Sequence, residues 1–89
     1  MRAVIDGGTI GSREALHRAL RETLSLPEWY GKNLDALYDC LTDLREPVEL
    51  EVTNAAKLCE SLGGYALALL HVLRDSEREN ENLTVSWQE

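Results

Sequence analysis

No apolar stretch of this 89-residue chain approaches the roughly 20 residues needed to cross a bilayer, and the opening Met1-Arg2-Ala3-Val4-Ile5-Asp6 is too short and too acidic for a secretory leader. Both lacks lead to the expectation of a cytoplasmic protein. Cysteine is scarce. Cys40 and Cys59 are the only two, each inside an apolar helical pattern, whereas a secreted domain of this size would be stapled by several bridges. They read as reduced core thiols, and without a Cys/His cluster there is no zinc-site signature. Basic residues are in deficit, with 9 Lys and Arg against 16 Asp and Glu and a formal net charge of −7. Such a surface repels nucleic acid and attracts cationic partners at long range. Repeats, linkers and low-complexity tracts are also missing, so the length leaves room for a single domain.

What is present is a folding pattern, with 44% hydrophobic residues spread along the whole chain. Arg2 to Ile5 reads as a strand ended by the turn Asp6-Gly7-Gly8. Ser12 is placed to cap a helix over Arg13 to Leu24, where Ala15, Leu16, Ala19, Leu20 and Leu24 recur at helical spacing and Pro27 closes the element. Its His17 lies beside the apolar stripe with no nucleophile or acid pattern, and reads as a structural, hydrogen-bonded imidazole. A loop with the adjacent aromatics Trp29 and Tyr30 leads to Asn33, the cap of a short second helix from Leu34 to about Asp43. Glu46-Pro47 bars that helix from continuing.

Val48, Leu50 and Val52 alternate with Glu49 and Glu51 as a second strand. Thr53 or Asn54 caps a third helix built on Ala55, Ala56, Leu58, Cys59 and Leu62 and stopped by Gly63-Gly64. A fourth helix opens near Tyr65, apolar in its first half and polar from Arg74 to Asn80, and Leu83, Val85 and Trp87 mark a last strand. Strands separated by helices predict parallel pairing through right-handed crossovers. The expected fold class is α/β, a three-stranded parallel sheet with about four helices. They lie mainly on one side, because two strands show a polar alternate face.

The chemistry concentrates in the second helix. At about 100° per residue, Leu34, Leu37 and Leu41 fall on one side, while Asp35, Tyr38, Asp39, Thr42 and Asp43 fall on the other. That outer face is a poor choice for stability, since Asp35/Asp39 and Asp39/Asp43 are like-charged i,i+4 pairs and the last two Asp crowd the negative helix end. A local violation of this kind is what a functional surface produces. An ordinary solvated face is the plain alternative. An enzyme using Asp35 and Asp39 for acid and base work would need a concave site that excludes water, which a convex helix face does not supply. A metal site from Asp35, Asp39 and Asp43 lacks the glycine-containing loop of calcium sites. No metal and no cofactor are expected.

The seventeen residues Leu26-Pro27-Glu28-Trp29-Tyr30-Gly31-Lys32-Asn33-Leu34-Asp35-Ala36-Leu37-Tyr38-Asp39-Cys40-Leu41-Thr42 resemble, without a gap, the most characteristic block of the barstar family, intracellular inhibitors of barnase-type ribonucleases. Ala3 to Gly7, Leu16-His17 and Leu73-Arg74-Asp75 resemble it more loosely. The resemblance implies one barstar-like domain over residues 1–89 that is an inhibitor and no enzyme. It would be a monomer when free and form a 1:1 complex with a small basic secreted ribonuclease, without direct nucleic-acid or membrane contact. Loop and second helix would enter the ribonuclease cleft, their carboxylates standing in for RNA phosphates.

By resemblance Asp39 takes the phosphate pocket, Asp35 meets an Arg or a backbone donor, Trp29 stacks near the catalytic His and Asn33 both caps and touches the partner. Tyr38, Thr42 and Asp43 belong to the same surface, and Asp75 or Glu79 adds a contact from the fourth helix. The resemblance also raises a cis Glu46–Pro47 bond. The chain has Trp29 for a family Tyr, Tyr38 for a Trp, Asp43 for a Gly and Leu44 for an aromatic, which alters the rim and points to a relative of barnase as the target. The same acidic face also suits a generic interaction module for some other cationic protein.

Overall fold

Alternate aliphatic positions set the sheet. β1 (Arg2–Asp6) buries Ala3 and Ile5, β2 (Val48–Thr53) buries Val48, Leu50 and Val52, and β3 (Leu83–Trp87) buries Leu83 and Val85. In the computed structural model, which describes residues 1–89, the three strands pair in parallel in the order β1-β2-β3, with Ile5 beside Val52 and Val52 beside Trp87. Since side chains alternate between faces, every one of those buried residues lies on the same side. That side is covered by α1 (Arg13–Leu24), α2 (Leu34–Thr42), α3 (Ala55–Leu62) and α4 (Gly64–Glu79), which contribute Leu16, Leu20, Leu37, Leu41, Leu58, Leu69 and Leu73 to one core. The other side is left to water: Val4, Glu49 and Thr84 are exposed, and Arg2 pairs with Glu51 at 3.1 Å across the strands. The α/β fold expected from the sequence is the one observed.

Backbone detail departs from the sequence reading at several points. After β1 the chain makes a 3-10 turn over Gly7–Thr9, and a Cβ on Gly7 would lie 2.7 Å from the Asn54 carbonyl oxygen and 2.9 Å from Leu58 Cβ, so only glycine fits. Neither Thr53 nor Asn54 caps α3 with its side chain. Asn54 is left-handed (φ 51°) and donates Nδ2 to Asp6 Oδ1 at 2.8 Å, while the first amide of α3, on Ala55, is taken by the Gln88 carbonyl at 2.9 Å. α4 opens at Gly64 rather than Tyr65, and every peptide bond, including Glu46–Pro47, is trans.

Side chains of α4 finish what the helices and strands leave open. At β3, Val85 N donates to Glu77 Oε2 at 2.7 Å and Arg74 Nη1 donates to Val85 O at 3.0 Å. Further along, buried Asn80 donates Nδ2 to Leu41 O at 3.0 Å and Leu44 O at 2.9 Å, satisfying carbonyls that the end of α2 would otherwise strand. Asn80→Ala should therefore destabilise the fold by about 1–3 kcal/mol in urea unfolding. A loss too small to measure would show that water satisfies those carbonyls equally well.

One polar chain crosses the interior. His17, 1% exposed, lies 2.5 Å through Nδ1 from Tyr30 Oη and 2.6 Å through Nε2 from Tyr65 Oη, so α1, the loop after it and the start of α4 meet at one imidazole. A neutral ring donates from one nitrogen and accepts at the other. Burial lowers the His17 pKa, with Glu14 pulling the other way, and burial raises the phenols of Tyr30 and Tyr65. Arg13 covers the Tyr65 ring at 4.2 Å.

The sign of the pH effect follows. Above the ordinary histidine pKa of 6.5 neither folded nor unfolded His17 is protonated, and its contribution is constant. As pH falls below that value the unfolded chain takes up a proton that the folded state resists. Stability then declines until the lowered folded pKa is passed, with a slope of at most about 1.4 kcal/mol per pH unit. Urea unfolding of the parent between about pH 8 and pH 5 should show this slope, and His17→Gln should lack it. An identical slope in the variant would assign the proton to another group.

Candidate functional site

The loop before α2 sends its two aromatics in opposite directions. Tyr30 N donates to Pro27 O at 3.0 Å, closing a β-turn with Glu28 and Trp29 at its corner. Tyr30 turns inward onto His17 and is 3% exposed, whereas Trp29 stands 79% exposed in solvent. An indole left that open is uncommon in a folded chain. Lys32 takes the left-handed conformation (φ 56°) and turns the chain into α2. Asn33 caps the helix as its residue type predicts, with Oδ1 accepting from Ala36 N at 2.7 Å and Nδ2 donating to Gly31 O at 3.3 Å. Much of its hydrogen-bonding capacity is thus spent within the loop.

Leu37 and Leu41 are fully buried and Leu34 is half-buried, which fixes the roll of α2 about its axis. Asp35, Asp39 and Asp43 are consequently exposed, with Tyr38 and Thr42 half-buried between them. Successive carboxylates start about 6 Å apart along the axis, four residues at a 1.5 Å rise. Neither Asp35 nor Asp39 has an ion-pair partner, and Asp43 has only a loose contact with Arg45 at 3.9 Å, both side chains being largely exposed. The Thr42 hydroxyl donates back to Tyr38 O at 2.8 Å, so toward the outside it offers lone pairs. Apart from the Tyr38 phenol, the outer face of α2 presents hydrogen-bond acceptors. The Cys40 thiol is pushed up by burial and then by the charges of Asp39 and Asp43, which keeps it protonated and unreactive near neutral pH. Cys40 and Cys59 are both free.

The two α4 candidates differ in their surroundings. Asp75 pairs with Arg78 one turn later, whereas Glu79 has no ion pair and immediately precedes Asn80, the residue fastened to the end of α2. Glu77 is committed to β3. His71, in the apolar half of α4, is exposed, and Trp87 is half-buried against the core.

The sequence did not reveal a cleft of about 640 Å³ between the end of α1, the Trp29 loop and the end of α2. Leu24, Leu26 and Leu44 supply apolar walls, and Trp29, Asp39 and Asp43 reach its border. The one available signal was Leu44, smaller than the aromatic it replaces. A second hollow of about 430 Å³ lies on the other flank of α2, where Arg13 and Lys32 face Glu14 and Asp35. No group of three or more His, Cys, Asp or Glu side chains converges as a metal site would require. No helix is long and apolar enough to cross a membrane.

Comparison with known proteins bears on the family. The family model described as Barstar (barnase inhibitor) matches residues 1–88. The YrdF protein of Bacillus subtilis (strain 168), provisionally named a ribonuclease inhibitor, is 39% identical over 77 residues, covering 85% of this chain and 85% of its own length. A match across nearly the whole sequence, joined to a relative at that identity, places this chain in the Barstar family of ribonuclease inhibitors, proteins that block an enzyme and are not enzymes themselves.

Proposed function

We propose that this protein inhibits a small, basic, secreted ribonuclease of the barnase type, forming a reversible 1:1 complex in which the Trp29 loop and the outer face of α2 occupy the RNA-binding cleft. The observation that carries the reading is the outer face of α2, where the Asp35 and Asp39 carboxylates are exposed and neither forms an ion pair within the protein. A ribonuclease cleft is lined with cations spaced for phosphates, and charge-assisted hydrogen bonds from Arg to carboxylate are strong. Asp39 takes the phosphate pocket, Asp35 a neighbouring donor, and Trp29 stacks on the catalytic imidazole. Asn33, Tyr38, Thr42 and Asp43 complete the contact, and Glu79 and Asp75 add an outer anion from α4.

Preorganisation supports the same assignment. The loop is held from below by Tyr30, the helix start by Asn33 and the helix end by Asn80. Little conformational freedom is left to lose on binding, which favours affinity. Inhibition is then steric and electrostatic: the helix fills the substrate's place and performs no chemistry.

Asp39→Ala should weaken binding to a barnase-type ribonuclease the most, by about 2 kcal/mol or more, the scale of an interface hot spot. Asp35→Ala should follow, and Asp75→Ala and Glu79→Ala should cost less. Calorimetry together with an RNA-cleavage assay reads all four, and an Asp39→Ala protein that inhibits as tightly as its parent would refute the assignment. Steering between opposite charges makes the association rate drop steeply with added salt. Stopped-flow rates that do not change with ionic strength would remove steering from the mechanism.

A further inference from the structure

We propose that the cleft flanking α2 receives an arginine side chain of the ribonuclease, which packs against the side of Trp29 that borders the cleft, leaving the indole's other face to the imidazole, and is held at the mouth by Asp43, with Asp39 adding its charge from the phosphate pocket beside it. This inference rests on the reading just given and adds the chemistry of one partner residue. The cleft of about 640 Å³ has Leu24 and Leu44 as apolar walls, Trp29 on one border, and Asp39, Thr42 and Asp43 at the end of α2 on the other, with Arg45 the single cation at its rim against two carboxylates. An occupant must therefore bring an apolar stem, a flat face and a positive charge to one place.

Arginine has all three. Its methylenes suit an apolar wall, its planar guanidinium stacks on an indole, and its forked donors match a carboxylate. The Thr42 hydroxyl, its own hydrogen turned back to Tyr38 O, adds a further acceptor. An aromatic or aliphatic guest would strip water from two carboxylates and return nothing. A lysine carries the charge but neither the plane nor the fork.

The chain's own Arg45 lies at the rim of the same cleft but does not fill it. Its side chain is largely exposed and reaches Asp43 only at 3.9 Å, a loose contact that a guest guanidinium with better geometry displaces, and Trp29 at the border is 79% exposed. Charge also favours the guest, given the net −7 of the protein and the two carboxylates at the mouth. Asp43 and Leu44 then become specificity-determining residues. They select ribonucleases that carry an arginine opposite this point.

The test uses three short probes on the full-length protein, acetyl-Gly-Arg-Gly-amide and its lysine and norleucine counterparts, followed by nitrogen-15 NMR. The arginine probe should shift the Trp29 indole N–H and the amides of Leu24, Asp43 and Leu44. It should bind about threefold or more tighter than the lysine probe, the size of a surface cation–π contribution, with the norleucine probe inert. Asp43→Asn should weaken the arginine probe several-fold, and Leu44→Trp, which fills the hollow, should abolish its binding while thermal melting verifies that the variant folds. Shifts confined to residues outside the cleft, equal binding of arginine and lysine, or an unaltered response in Asp43→Asn would each overturn the proposal.

The two readings fail separately. Should Asp39→Ala lose inhibition of a barnase-type ribonuclease while Asp43→Asn and Leu44→Trp inhibit as the parent does, the arginine assignment falls and the inhibitor reading stands. Should no barnase-type ribonuclease be inhibited at all while the arginine probe still seats beside Trp29, the inhibitor reading falls and the cleft's preference for arginine holds.

Discussion

The imidazole of His17 is the joint on which the arrangement turns. It is the point where α1, the loop after it and the beginning of α4 are tied together by hydrogen bonds at a ring that is itself almost wholly buried. Each phenol takes one ring nitrogen, and in the neutral ring that burial favours, one phenol accepts from the imidazole while the other donates to it. Because Tyr30 is drawn down to that ring, its neighbour is driven outward by the turn they share. The exposure of Trp29 is thus a consequence of what lies underneath it. Buried polar chains of this sort rigidify a structure when every member is satisfied, and here each member has its partner.

Magnitudes explain how the acidic face survives. Two like-charged i,i+4 contacts cost about 0.2 to 0.5 kcal/mol each on an exposed helix. Burial of a leucine side chain contributes about 1.5 to 3 kcal/mol, and α2 has two that are fully buried. The cap from Asn33 adds about 1 kcal/mol more. The inner face therefore outweighs the outer one several times over, and the charges can be chosen for what they meet outside the molecule.

Local periodicity made much of this legible. The strand alternations, the two sides of α2, the cap at Asn33 and the structural character of His17 all follow from neighbours within one or two turns. What escaped reading is carried by distant contacts. The partners of His17 lie 13 and 48 residues away, and Asn80 acts on carbonyls 36 and 39 positions earlier. Asn54 does occupy the cap position of α3, but that its side chain goes to Asp6 instead of the helix amides could not be recognised, because the choice is made by β1 lying beside β2. The order of strands and the cleft beside Leu44 have the same origin, since each depends on how whole elements meet. The proposed interface residues were nominated mainly through the resemblance of one continuous block. Periodicity alone left an ordinary charged surface equally open.

The covering of β3 by α4 has a bearing on how the molecule behaves in a crowd. Arg74 and Glu77 occupy the outward amide and carbonyl of Val85, at the middle of one border of the sheet. A strand from another chain can align unobstructed only along the opposite border, beside β1. Stacking without end needs two free borders on every unit, one to receive and one to offer. With the middle of one border occupied by Arg74 and Glu77, a strand arriving there must first displace both side chains, which hinders endless stacking through the native fold.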